Sequence, residues 1–229
     1  MSNAAAGRVA AIIPAAGTGT RLGAEKRKAF IELDGISLLT RSALAMSVVA
    51  DVIVVAAPSD ELDLASNLLA NVDAEVHIVA GGNERQDSIA NALAVLPEDI
   101  SFVLVHDAAR PLVPVEVTNR VVTELKNGSV AVIPVLPIAD TIKRVDIRSK
   151  VIETVDRDQL RRVQTPQGFT REVLTKAYAD PAIVATDDAG LMEALEIPVL
   201  TVTGDELAMK ITTAHDLKIA TALLGVTND

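Results

Sequence analysis

Residues 9–23 read Val9-Ala10-Ala11-Ile12-Ile13-Pro14-Ala15-Ala16-Gly17-Thr18-Gly19-Thr20-Arg21-Leu22-Gly23, and Lys26-Arg27-Lys28 follows closely. An apolar run of strand length ends in a loop of small residues. Such a loop exposes backbone N–H groups where an anion can approach closely. Arg21 and Lys28 add full positive charge nearby. Two glycine-loop patterns fail here. The dinucleotide fingerprint needs a glycine where Leu22 stands, and Leu22-Gly23-Ala24 does not supply the Gly-Lys-Ser/Thr of a Walker loop. Two readings remain: a tight turn that merely uses small residues, or a nucleotide site of another design.

The same alternation of apolar runs and helical stretches continues along the chain. Strands are predicted at residues 9–14, 51–57, 75–79, 102–106 and 130–135, with helices at 38–49, 61–70, 84–96 and 114–126 between them. That order implies right-handed βαβ units and a mostly parallel α/β sheet with helices on both faces. Ligands in such sheets sit beyond the carboxyl ends of the strands. The loops at 14–28, 80–83 and 107–111 each follow a strand, so they converge on one site. The pattern breaks after Leu136. Two short alternating runs around Asp146-Ile147-Arg148-Ser149-Lys150 predict a β-hairpin within 137–158. A protruding hairpin leaves pairing edges that proteins usually cover, so an arm embracing a second copy in a symmetric dimer is expected. Further on, helices are expected up to Ala179, after the cap at 185–188 and over 214–224, with a strand at 198–202.

Composition narrows the classes. The 229 residues are 49% hydrophobic but only 2% aromatic, so the core is aliphatic, which suits doubly covered parallel strands. One domain over 1–229 is expected. A net charge of −10 argues against nonspecific nucleic-acid binding and makes the cations near the first loop a local feature. No cysteine is present, which excludes disulfides, zinc–thiolate sites and thiol catalysis. No uncharged run approaches a membrane span, and residues 1–6 lack the basic-then-apolar order of a secretory signal. A cytoplasmic protein with an unstructured start is expected.

Other groups each carry two readings. Gly81-Gly82-Asn83-Glu84-Arg85-Gln86-Asp87-Ser88 is either an acid-rich helix start or a loop whose Gly82 and Asn83 meet a base edge. In Val105-His106-Asp107-Ala108-Ala109-Arg110-Pro111, Asp107 either pairs with Arg110 or holds Mg²⁺, a hard ion that takes one or two carboxylates with phosphates and water. His106 reads as a hydrogen-bonded core residue. His77 and His215 are isolated, which argues against zinc. Thr186-Asp187-Asp188 is fully explained as a helix cap. Lys210, within Ala208-Met209-Lys210-Ile211-Thr212, is either an outward side chain of a surface strand or a cation of the site. No Gly-x-Ser-x-Gly elbow or glycosidase carboxylate pair stands out.

Taken in order, Pro14-Ala15-Ala16-Gly17-x-Gly19-x-Arg21, Lys28, Gly81-Gly82-x-Glu84-Arg85-x-Asp87-Ser88, His106-Asp107-Ala108-Ala109-Arg110-Pro111, Asp140-Thr141-x-Lys143, Val155-Asp156-Arg157, Thr165-Pro166-Gln167 and Thr186-Asp187-Asp188-Ala189 resemble the 2-C-methyl-D-erythritol 4-phosphate cytidylyltransferase family over nearly the whole chain. The resemblance implies a Rossmann-like nucleotide-diphospho-sugar transferase fold with the hairpin as a dimerisation arm. It implies CTP and methylerythritol phosphate as substrates, with CDP-methylerythritol and pyrophosphate as products. By the same resemblance, Ala15, Ala16, Gly82, Asn83 and Ser88 hold the cytosine. Pro14, Gly17, Asp107 and Ala108 hold the ribose, with Asp107 also near Mg²⁺. Arg110, Thr141, Arg157, Thr165 and Thr186 receive the methylerythritol phosphate, and Arg21, Lys28 and Lys210 surround the transition state. Lys26 and Arg27 crowd Lys28 and leave the register of that cation open, and Ala208-Met209 replaces a polar lead-in to Lys210. A cytidylyltransferase for another polyol phosphate such as ribitol 5-phosphate, and a non-catalytic nucleotide-binding module, compete. A dehydrogenase is disfavoured by the failed glycine spacing.

Overall fold

The computed structural model describes residues 7–17, 27–180 and 183–227. Its central strand is β1 (Arg8–Pro14), buried continuously from Val9 to Ile13. A strand covered on both faces needs no polar alternation, and the two faces still divide by parity. Val9, Ala11 and Ile13 pack with α1 (Leu38–Ser47), α2 (Leu62–Leu69) and α4 (Val115–Lys126). Ala10 and Ile12 pack on the other side with α3 (Arg85–Leu93), α5 (Arg171–Tyr178) and α6 (Asp188–Ala194). The expected helix-covered sheet is therefore present.

β1 pairs in parallel with β4 (Val52–Ala57) and β6 (Ile100–Val105), and β5 (Glu75–Ala80) joins β4, also in parallel. On the far side lies β7 (Ala131–Pro137), whose one edge takes β12 (Leu200–Thr203) in parallel. Its other edge takes β10 (Arg161–Val163) and β11 (Gln167–Thr170), both antiparallel. The sequence pattern predicts no strand at 164–169, yet β11 is inserted between β6 and β7. Its shortness hides it from periodicity, while burial on both faces requires it. Phe169 is wholly buried, and a Cβ at Gly168 would lie 2.4 Å from Val121 Cγ1, so only glycine lets α4 approach.

Two hairpins stand apart. Asp34 (φ 52°) and Gly35 (φ 72°) turn β2 (Glu32–Leu33) into β3 (Ile36–Ser37). Both central residues are left-handed, the conformation that Asp-Gly supplies in a tight hairpin. This hairpin leads from the short turn Lys28–Phe30 to α1, which Ser37 caps by accepting from the Thr40 N–H. The second hairpin, β8 (Ile142–Val145) and β9 (Val151–Val155), forms its own two-stranded sheet inside the expected 137–158 segment. Val145, Ile147, Val151 and Ile152 on it are all exposed.

The segment carrying Lys210 is not a strand. After β12 it forms a tight turn at Glu206–Ala208, then runs irregularly to α7 (Ala214–Thr227). Thr213 and Asp216 cap that helix reciprocally: the Asp216 carboxylate accepts from the Thr212 and Thr213 N–H groups and the Thr212 hydroxyl, and Thr213 Oγ1 accepts from Asp216 N–H. These bonds hold the Asp216 carboxyl down at about 2, with the Thr212 hydroxyl bond the largest cause. A carboxyl lowered in the folded state stabilises above its ordinary pKa, and that stability fades as pH falls toward about 2. Replacement by alanine should cost about 1 kcal/mol at pH 7 in urea unfolding. The difference from the parent should vanish in acid. No helix among the described residues is long and apolar enough to cross a membrane.

Candidate active site

Three loops at the carboxyl ends of β1, β5 and β6 wall a cleft of about 270 Å³. Parallel strands of one sheet make this possible, because their carboxyl ends open on the same side. Pro14, Ala15, Ala16 and Gly17 come from the first loop, Gly82, Asn83 and Ser88 from the second, and Asp107 and Ala108 from the third. Lys28, Arg85 and Lys210 bring cations to the lining, beside Ala29, Glu84, Ala109 and Thr212. Arg21 and Lys26 lie outside the described residues. Arg27 turns away to Asp60 (2.6 Å) and Glu61 (3.0 Å), so of the two described cations of that run Lys28 is the one lining the cleft.

The walls of the first two loops are mostly backbone. Ala15 N–H donates to Ala56 C=O and Gly81 N–H to Ala57 C=O, both at 2.8 Å, so each loop leaves the sheet in register. A Cβ on Gly81 would sit 2.4 Å from the Ala16 Cβ, and one on Gly82 2.1 Å from the Asp87 Cβ. A side chain on Gly81 would push the two loops apart, and one on Gly82 would collide with the first turn of α3. Buried Ser88 fixes the second loop: its hydroxyl donates to Glu84 C=O (3.1 Å) and accepts from Gly82 N–H (3.0 Å). Glu84 and Asp87 form a capping box on α3, so the acid-rich helix start and the cleft wall are one structure.

The cleft's charges form an ordered chain. Asp107 Oδ2 pairs with Lys210 Nζ at 2.8 Å and faces Arg110 Nε at 3.7 Å; its Oδ1 faces Arg85 Nε at 3.7 Å. Burial pushes the Asp107 carboxyl up, but Lys210, Arg85 and Arg110 together outweigh it and hold the carboxyl well below its ordinary range. Arg85, at the first turn of α3, is gripped from behind by wholly buried Asp188 through two bonds of 3.1 and 2.6 Å. The Tyr178 hydroxyl donates to the same carboxylate. Burial opposes the Arg85 charge, yet Asp188 and Asp107 raise its pKa above the ordinary value. Asp187 is the cap proper, accepting from Gly190 N–H at 3.0 Å. The sequence reading quotes Arg85 in a motif without giving it a role. Its partner lies 103 residues away, and only the fold brings the two together.

His106 is wholly buried, and burial lowers its pKa to about 4, so it is neutral at pH 7. One assignment of protons satisfies all its neighbours. His106 Nε2–H donates to Arg110 C=O (3.2 Å), Thr165 Oγ1–H donates to His106 Nδ1 (3.0 Å), and Thr165 Oγ1 accepts from Asp107 N–H (3.1 Å). Thr165 is thus buried beneath the Asp107 loop. Arg110 donates to the carbonyls of Ala208 (2.7 Å) and Val163 (3.3 Å), tying the Lys210 segment to β10. Thr141, Arg157 and Thr186 are exposed and do not line the cleft of this chain. Thr141 and Arg157 flank the arm, and Arg157 donates to Ala139 C=O.

The described donor set suits Mg²⁺ in one respect: Asp107 presents a hard carboxylate at the cleft, leaving the remaining positions to phosphate oxygens and water.

Comparison with known proteins bears directly on this geometry. The family described as IspD, 2-C-methyl-D-erythritol 4-phosphate cytidylyltransferase, matches residues 9–226. Proteins named 2-C-methyl-D-erythritol 4-phosphate cytidylyltransferase from Frankia casuarinae and Rhodococcus opacus are each 50% identical over 220 residues. Those alignments cover 95% of this chain and 82% and 96% of the two relatives. The crystal structure of the enzyme of that name from Thermus thermophilus superposes with a TM-score of 0.77 at 35% identity, covering 94% of this chain and 98% of that one. The 4-diphosphocytidyl-2C-methyl-D-erythritol synthase of Anaerococcus prevotii gives a TM-score of 0.82 at 29% identity, covering 96% and 99%. With a family match spanning the described sheet and every loop of the cleft, the chain belongs to the 2-C-methyl-D-erythritol 4-phosphate cytidylyltransferase family.

Proposed function

We propose that the chain transfers CMP from CTP to 2-C-methyl-D-erythritol 4-phosphate and releases pyrophosphate. A phosphate oxygen of the polyol attacks the α-phosphorus of CTP; the new P–O bond forms as the bond to the pyrophosphate oxygen breaks. The attacking oxygen is already anionic at neutral pH, so no general base is needed. Family membership supports the substrates. The observation that carries the chemistry is the meeting of Lys28, Lys210 and Asp107 at a cleft floored by backbone.

In this reading, Ala15, Ala16, Gly82, Asn83 and Ser88 hold the cytosine, the first four through their backbone. Pro14, Gly17, Asp107 and Ala108 hold the ribose. Lys28 and Lys210, with Arg21 from outside the described residues, stabilise charge that builds on the α-phosphate oxygens. Mg²⁺, held by Asp107 and the triphosphate, supplies charge neutralisation when bound. Lys210 must then leave Asp107, and a ligand rich in negative charge favours that exchange. Arg110, Thr141, Arg157, Thr165 and Thr186 form the polyol-phosphate subsite. The exposed apolar residues of the arm support a homodimer in which Thr141 and Arg157 serve the partner's cleft, and we take the protein to be cytoplasmic. We read the chain as one domain with this arm at 137–158.

Pyrophosphate release from CTP tests the reading. Release should require Mg²⁺ and methylerythritol 4-phosphate, and ribitol 5-phosphate should not replace it. Release with ribitol 5-phosphate alone would keep the chemistry and change the acceptor. CTP binding with neither polyol turned over would make the chain a non-catalytic binder.

A further inference from the structure

We infer that Gln164 is the positioning residue for Lys210, an inference that rests on Lys210 acting at the α-phosphorus. Lys210 sits on irregular chain with no strand ladder to hold it, yet its ammonium is placed on Asp107 at 2.8 Å. The side-chain amide of Gln164 supplies the missing ladder. Its Nε2 donates to Asp205 C=O at 2.7 Å, and its Oε1 accepts from Asp205 N–H at 3.0 Å. It grips both backbone groups of one residue, as a neighbouring strand would.

The surroundings are shaped to that amide. Gln164 is buried, and its own N–H donates to Pro134 C=O at 2.9 Å, which seats it against β7. β12 pairs with β7 as far as Thr203, and Gly204 N–H then makes a last bond to Val135 C=O at 2.9 Å. At this point Gln164 takes over from the sheet. A Cβ on Gly204 would fall 2.1 Å from Gln164 Oε1, so the amide occupies the space a side chain would need. Beyond Asp205 the turn at Glu206–Ala208 is capped by Asp205 Oδ1, which accepts from Leu207 N–H at 2.8 Å. Ile211 N–H donates to Ala109 C=O at 2.8 Å and closes the far end. Lys210 therefore hangs in a segment fixed at Asp205 by Gln164, at Ala208 by the Arg110 guanidinium (2.7 Å) and at Ile211 by Ala109, and Gln164 makes the point from which that segment leaves the sheet.

The next residue extends the argument. Thr165 Oγ1 accepts from Asp107 N–H, so Gln164-Thr165 ties the loop bearing Asp107 to the segment bearing Lys210. A lost grip that moves a catalytic cation by about 1 Å costs on the order of 10²-fold in rate.

The test is a double-mutant cycle. Gln164→Met keeps the shape and removes both bonds. Gly204→Ala leaves Gln164 in place and crowds its amide, so it serves as an independent second variant. Each should lower kcat by about 10- to 100-fold, with KM for CTP within about threefold of the parent. In a Lys210→Ala background neither should lower kcat further, because the residue they position is gone. If either variant costs its full factor in that background, the inference is overturned while the reading of Lys210 stands. An inert Lys210→Ala would overturn both. Equilibrium unfolding of the same variants separates a folding defect from a kinetic one: a kcat loss that tracks the unfolded fraction counts against the inference.

Discussion

Lys210→Ala should lower kcat by about 10²–10³-fold while KM for CTP stays within about threefold. Lys210 pairs with Asp107 at 2.8 Å, so its charge is already engaged by a carboxylate. An ion-paired cation contributes little to ground-state capture of CTP. It contributes most when negative charge accumulates on the α-phosphate and draws it from the carboxylate. Removing it leaves Asp107 facing Arg85 and Arg110, both at 3.7 Å, so the loop keeps its counter-charges and the fold should persist. Steady-state kinetics with both substrates varied is the measurement. Equal losses in kcat and in CTP binding, seen as a rise in KM with the fall in kcat, would point to plain electrostatic capture. Arg27→Ala is the comparison of choice, because Arg27 is held by Asp60 and Glu61 and should leave kcat near the parent.

Asp188→Ala should have the largest effect on stability, a loss of about 3–5 kcal/mol in urea unfolding at pH 7. Asp188 is wholly buried and accepts from two nitrogens of Arg85 and from the Tyr178 hydroxyl. Truncation strips three donors of one acceptor and leaves Arg85 only the more distant Asp107, at 3.7 Å, as counter-charge. Arg85 is only partly exposed, so water replaces the lost carboxylate poorly. Asp188→Asn keeps an acceptor for some of these bonds and should cost roughly half as much, which separates hydrogen bonding from charge. A loss under about 1 kcal/mol for the alanine variant would mean that the pair is solvated like a surface salt bridge.

The parallel core was legible because each strand carries its own signal. Val9 to Ile13 and Val52 to Ala57 are unbroken apolar runs, and the glycine loops after Ile13 and after Ala80 announce where the cleft opens. Asp107 and Lys210 were nameable from residue type and motif order. Their 2.8 Å pairing was not, since it depends on a segment without periodicity. β11 escaped because a four-residue strand containing glycine has no pattern of its own and forms only in the slot between β6 and β7. The Arg85–Asp188 pair and the grip of Gln164 on Asp205 join residues 103 and 41 positions apart, distances over which sequence carries no local trace. Thr141 and Arg157 reach this chain's cleft through neither sequence proximity nor its own fold, which is why the arm matters to their assignment.

The glycine walls have a consequence for inhibition. Where Gly81 and Gly82 face Ala16 and Asp87 with no room for a Cβ, the surface offered to a ligand is main chain. Main-chain donors and acceptors are the same whatever amino acid the gene encodes. A compound that gripped the cleft through those groups would leave the organism few escape substitutions: a side chain added there to repel it would collide with Ala16 of the first loop or with Asp87 of α3. Resistance would have to arise at side chains lining the cleft, such as Asn83, Lys28 or Lys210, and at the lysines it would come with a damaged enzyme.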